Sequence, residues 1–150
     1  MMSEIVSPLT ILMADDDPDD CLLVRDAIEE TGASYELYVV RDGEELVDYL
    51  HRRGKFARPH VAPRPDLILL DLKMPKRNGH EALADVKNDP ELRKIPVVAL
   101  TTSRASNDIQ MAYDLGVNSY IRKPATFRSL VDTMRILLKY WAELVELPMK

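Results

Sequence analysis

Cysteine is almost missing from this chain: Cys21 is the single one in 150 residues. An internal disulfide is therefore excluded, and a reducing compartment is the natural setting. Long apolar runs are missing too, since none approaches the roughly 20 residues that a membrane-crossing helix needs. The opening stretch MMSEIVSP has neither a basic start nor a long apolar core, so no signal peptide is expected. Positive charge is in deficit, with 20 Lys and Arg against 25 Asp and Glu and a formal net charge of -5. That balance argues against nucleic acid as a partner, because phosphate binding wants a basic face. Basic residues do gather at 52–64 and 73–77, but prolines interrupt the first group, which reads as a solvated loop. There is no internal repeat and no low-complexity tract. What is present is 46% hydrophobic residues, enough for one domain over 1–150 with its own core. A soluble, cytoplasmic protein is expected.

The apolar residues are arranged as short runs alternating with helical patterns. Leu9 to Ala14 reads as a strand, closed by the acidic run Asp15-Asp16-Asp17-Pro18-Asp19-Asp20. Asp17 as N-cap and Pro18 at the first helical position start a helix that carries Leu22, Leu23, Ala27 and Ile28 and stops at Gly32. Tyr35 to Val40 is a second strand, and Asp42-Gly43 opens a helix with Leu46, Val47 and Leu50. A proline-rich loop over 54–65 leads to Leu67-Ile-Leu-Leu-Asp71, bounded by Pro65 and Pro75. An apolar run that short reads as a central strand buried on both faces. A third helix follows Gly79, a fourth strand spans Ile95 to Thr101, and a fourth helix spans Asn107 to Leu115. Val117 to Ile121 is a fifth strand. Strand and helix thus alternate five times with short connections, which predicts an α/β fold: a doubly wound five-stranded parallel sheet with helices on both faces.

The last helix is the long one. Phe127, Val131, Met134, Leu138, Trp141 and Val145 recur at spacings of four and three, with Leu130, Leu137 and Leu144 as a second row. From Phe127 to Leu147 it would run about 30 Å at 1.5 Å per residue, whereas a five-residue strand covers about 17 Å. The extension over 139–147 would overhang the sheet and need a cover. Self-association through Leu130, Met134, Leu137 and Trp141 is the expected cover, with a fold-back onto the protein's own core as the competing one.

In such a sheet the carboxyl ends of the strands lie side by side, and that is where chemistry collects. The first strand delivers Asp15 and Asp16, the central one Asp71, the fourth Thr101 and Thr102, and the fifth Lys123. Three carboxylates converging on one pocket repel and call for a cation. An all-oxygen donor set favours magnesium over zinc. His51, His60 and His80 fall elsewhere and read as surface residues. A carboxylate beside a divalent ion, an ammonium and a hydroxyl forms a device for receiving a phosphoryl group.

The set ILMADDDPDD, LILLDLKMP followed by NG, PVVALTTS and SYIRKP resembles the receiver domain of two-component response regulators. The likeness covers about Leu9 to Leu138, and it implies a flavodoxin-like fold. It implies that Asp71 is the phosphoacceptor, that Asp16 ligates Mg2+ directly, and that Asp15 does so through a bound water. Lys73 would lend its backbone carbonyl to the metal. Thr101 and Tyr120 would be the switch pair, Lys123 would contact the phosphoryl group, and the Lys123–Pro124 peptide would be cis. The tail YWAELVELP and the loop before Asp71 are similar to the small regulators that partner phytochrome histidine kinases, which tend to dimerise through the last helix. A sensor histidine kinase is the implied partner, and the chain is expected to be a stand-alone receiver without catalytic turnover of its own.

Two departures from the commonest receiver pattern stand out. Lys73 replaces a frequent Asn, and Thr102 is bulkier than the small residue often found there, which implies slower water attack on the acyl phosphate. A haloacid-dehalogenase-type phosphohydrolase would place a second acid where Lys73 stands, and would need a cap domain. A pseudo-receiver would lack an acid or the lysine, and this chain keeps them all.

Overall fold

Strand residues of alternating orientation dictate the layers. Successive side chains of a strand point to opposite faces, so Ile11 and Met13, Leu67 and Leu69, and Val98 and Leu100 turn one way. Leu12 and Ala14, Ile68 and Leu70, and Val97 and Ala99 turn the other. All of these are buried, so both faces of the sheet must be covered. The structure, a computed structural model describing residues 8–58 and 60–148, shows how. The opening stretch before Pro8, and Pro59 of the proline-rich loop, lie outside the described residues.

The elements are β1 (Leu9–Ala14), α1 (Pro18–Thr31), β2 (Tyr35–Val40), α2 (Gly43–His51), β3 (Leu67–Leu70), α3 (Gly79–Asn88), β4 (Val97–Thr101), α4 (Ser106–Asp114), β5 (Ser119–Arg122) and α5 (Phe127–Lys139). All strand pairs are parallel, in the order β2-β1-β3-β4-β5. The chain has the doubly wound architecture that its patterning predicts, in the flavodoxin-like form that the receiver likeness implies. One face is covered by Val24, Ala27 and Ile28 of α1 with Leu130, Val131, Met134, Leu137 and Leu138 of α5. The other is covered by α2, α3 and α4 through Leu46, Tyr49, Leu83, Val86 and Ala112. The order reverses between β1 and β3, and a crevice at the carboxyl ends opens at that switch point.

Several expectations shift. Leu22 and Leu23 of α1 are exposed, at 57% and 45%, because Val24 takes the inward position one residue later. β4 begins at Val97 and not Ile95, since Pro96 has no N–H for the ladder and offers only its carbonyl, which accepts from Ile68 N–H at 3.0 Å. β5 starts two residues later and ends one later than expected, at Ser119–Arg122. No peptide bond among the described residues is cis, so Lys123–Pro124 is trans.

The last helix also differs. Regular α-helix ends at Lys139, a wider π turn carries it through Tyr140–Leu144, and Val145 is extended with its N–H on Tyr140 C=O. Winding therefore passes the end of the sheet but stops three residues short of Leu147. Pro148 disfavours a helical Leu147, and Leu147 instead returns to pack with Trp141 against the α1–α5 layer. Leu130, Met134 and Leu137 are no dimer surface. They are 8%, 0% and 8% exposed because their row faces the sheet. α5 leaves Phe127 and Ile136 in solvent, and the π turn after it adds Tyr140 and Leu144, which follow Ile136 at spacings of four. No helix among the described residues is long and apolar enough to cross a membrane.

Candidate functional site

Asp71 is one residue beyond β3 and is held from three sides. Its backbone N–H donates to Ala14 C=O at 2.9 Å, continuing the β1–β3 ladder, so its position is fixed by the sheet. Its Oδ1 accepts from Thr101 Oγ1 at 2.9 Å and from the Lys73 N–H at 3.1 Å. Its Oδ2 lies 3.3 Å from Lys123 Nζ. Gly79, the first residue of α3, presses against the same backbone. A Cβ there would lie 2.4 Å from Leu72 Cα and 2.5 Å from the Asp71 carbonyl oxygen, so any side chain would push the carboxylate out of place. Gly43 is equally tight at the start of α2, against the Arg77 carbonyl, and this packing pins the loop after β3 from its other side.

Asp15, one residue beyond β1, is fully buried, and its Oδ1 accepts from the Asp17 N–H at 2.9 Å. Asp16 is exposed at the rim. One carboxylate oxygen from each of Asp15, Asp16 and Asp71 lies within 4.8 Å of the others, the one acid, histidine or cysteine group of that kind among the described residues. Only hard oxygen donors converge there, two of the three carboxylates are buried, and the third opens to water. That donor set fits Mg2+ or Mn2+ and not a softer metal.

Lys123 is the counter-charge. Its Nζ donates to Asp20 at 2.7 Å, to Asp15 at 2.8 Å and to Asp71 at 3.3 Å, while its N–H donates to the Thr101 carbonyl at 2.9 Å. Burial works against the ammonium, but Asp15, Asp20 and the Asp71 charge more than offset it, and its pKa lies above the usual lysine value. Burial likewise pushes the Asp15 carboxyl above its usual range, and Lys123 and the Asp17 N–H pull it back only in part. Buried groups here are all satisfied: among the described residues no buried side-chain N or O lacks a hydrogen bond.

On the β4–β5 side the contacts run through hydroxyls and backbone carbonyls to one acid of α4. The half-buried Tyr120 donates its hydroxyl to the Ser103 carbonyl at 2.9 Å. Ser103 donates its own hydroxyl to Asp108 of α4, and His80 of α3 contacts the Asp108 carbonyl at 3.2 Å. The structure thus brings Asp15, Asp16, Asp71, Thr101 and Lys123 together, with Tyr120 one layer away. The Lys73 side chain points out to solvent, as does Thr102. Asp20 and Ser103 were missed by sequence reasoning. Asp20 looked like an ordinary first-turn acid, and the only available signal was its place in the first turn of a helix that starts at the pocket.

The family model of the response regulator receiver domain matches residues 11–135, and the chain belongs to that family. Response regulator Rcp1 of Synechocystis is 37% identical over 148 residues, covering 99% of both chains. A crystal structure of Rcp1 in a Mn(2+)-bound form superimposes with a TM-score of 0.84, covering 95% of this chain and 100% of that one. The phosphorylated cyanobacterial phytochrome response regulator RcpA is 40% identical, with a TM-score of 0.88 and coverage of 95% and 100%. A probable methanogenesis regulatory protein, FilR2 of Methanothrix harundinacea, is 38% identical over 140 residues, 92% of this chain and 86% of that one. The chain is thus a response regulator receiver with phytochrome response regulators among its relatives.

Proposed function

We propose that Asp71 accepts a phosphoryl group from the phosphohistidine of a sensor histidine kinase, and that the protein signals by the change in surface that follows. One observation carries the reading: a single buried carboxylate is touched at once by a hydroxyl and an ammonium, with two further acids beside it. An Asp71 oxygen attacks phosphorus in line, the P–N bond to the donor imidazole breaks, and its electron pair stays on the imidazole nitrogen. Asp15, Asp16, Asp71 and the Lys73 carbonyl would hold Mg2+, which when bound supplies positive charge to the phosphoryl oxygens. Lys123 neutralises a further oxygen, and Thr101 moves its hydroxyl from the carboxylate to the acyl phosphate. Tyr120 then leaves the Ser103 carbonyl and turns inward toward the space behind Thr101.

Phytochrome kinases are the favoured donors, on the likeness to Rcp1 and RcpA over nearly the whole chain. A homodimer in the cytoplasm is the favoured assembly. Its surface is Ile136 on α5 and Tyr140 and Leu144 on the π turn that continues it, with Met111 and Tyr113 on α4, apolar residues that are each at least 48% exposed. The test is incubation with acetyl phosphate and Mg2+, read by intact mass and by size exclusion beside Asp71→Asn. One phosphoryl adduct, Mg2+-dependent and lost in the mutant, is expected. An adduct that survives in Asp71→Asn would place the acceptor elsewhere.

A further inference from the structure

The shortest contact of Lys123 is to a residue that belongs to no strand end. Asp20 is the third residue of α1, set by the Asp17 cap and Pro18 at the helix start. Its Oδ2 lies 2.7 Å from Lys123 Nζ, against 2.8 Å for Asp15 and 3.3 Å for Asp71. Asp20 stands outside the three acids that converge on the candidate metal position. Its side chain has no second hydrogen bond or ion pair among the described residues. It serves the lysine alone.

We propose that Asp20 is a positioning residue that holds the Lys123 ammonium on the α1 side of the pocket, leaving Asp15 and Asp71 to a divalent cation. The proposal rests on the reading of Asp15, Asp16 and Asp71 as the Mg2+ site. Without Asp20, the metal ion and the ammonium would share the same two buried carboxylates, and like charges at close range in a low-dielectric pocket repel. With it, the two cations have four carboxylates between them. An ammonium has three N–H donors on a flexible stem. It can therefore keep Asp20 while giving up its bonds to Asp15 and Asp71, and later turn to a phosphoryl oxygen.

The plain alternative is that Asp20 is only a first-turn acid favoured by the helix dipole. Asp19 supplies the control, being exposed, on the same turn and of the same charge. Mg2+ binding to the unphosphorylated protein is measured by titration calorimetry for wild type, Asp20→Asn, Asp20→Glu and Asp19→Asn. The Lys123 ammonium 15N–1H signal is followed by NMR in metal-free buffer and after Mg2+ is added.

Asp20→Asn is expected to weaken Mg2+ binding about three- to tenfold, the size of one part-exposed charge-assisted hydrogen bond. Asp19→Asn should change it by less than about twofold, since an exposed charge acts only through screened solvent. Asp20→Glu should recover most of the affinity, and it also serves if Asp20→Asn folds poorly. In wild type the ammonium signal should persist when Mg2+ is added, and in Asp20→Asn it should be lost. Equal weakening by Asp19→Asn and Asp20→Asn, or a signal indifferent to residue 20, would overturn the proposal. Phosphoryl uptake is scored separately. Wild type that binds Mg2+ but accepts no phosphoryl group would refute the proposed function while the isotherms still decide on Asp20. Wild type that binds no Mg2+ would refute both.

Discussion

One residue along each of three strands separates two kinds of interior. Ala14, Leu70 and Leu100 are buried hydrocarbons between sheet and helices; Asp15, Asp71 and Thr101, the residues that follow them, are buried as well, and polar. Burial is therefore not what distinguishes the site from the core. The lower layer gains by leaving water, on the order of 25 cal/mol per Å² of apolar surface. The upper layer loses by it and is tolerated only because Lys123, Thr101 and backbone N–H groups satisfy each carboxylate. Stability resides in the first, and reactivity is stored in the second.

The contrast breaks most visibly from below. Met134→Ala, at the centre of the α5–sheet contact, should cost about 2 to 4 kcal/mol of unfolding free energy in urea. Mg2+ binding below the transition should be unaffected. A large loss of metal affinity would mean that the two layers are not separable.

A smaller effect of opposite sign is expected from above. The folded-state pKa of Asp15 is raised by burial above its ordinary value of 3.8. A group shifted that way contributes stability that is present below the unfolded value and lost as pH rises through the folded one. In metal-free buffer Asp15→Asn should therefore melt higher than wild type at neutral pH, and the gap should close toward pH ~3, where both residues are neutral. Melting curves across that range decide it, and a mutant less stable at neutral pH would show that the Lys123 pair outweighs desolvation.

The smallest effect on stability is expected for Thr102→Ala, because Thr102 is exposed and stands just past β4. Its melting temperature should match wild type while the acyl phosphate decays several-fold faster. Equal decay rates would remove any shielding role for the Thr102 side chain.

The strand ends were legible in the sequence because each is a short apolar run halted by a polar residue, and period-two burial leaves one way to stack such runs. LILLD gave Asp71, and SYIRKP gave Lys123. Asp20 was not legible as a partner of Lys123, since 103 positions separate them and only the packing of α1 against α5, the helix that follows Lys123, brings them together. The face of α5 was misread for a different reason. A row of Leu130, Met134 and Leu137 has the same period whether it meets its own sheet or a second copy. Nor could the sequence say where winding stops, because that depends on Leu147 finding the α1–α5 layer.

The hydroxyl of Tyr120 rests on the carbonyl of Ser103, and Ser103 is tied to α4 through Asp108. Under the proposed switch, whatever grips α4 and prefers the ring released must also make Asp71 easier to charge, since thermodynamic linkage is reciprocal. The downstream partner would then set the gain of the upstream signal. A receiver of this design listens to its listener as well as to its kinase.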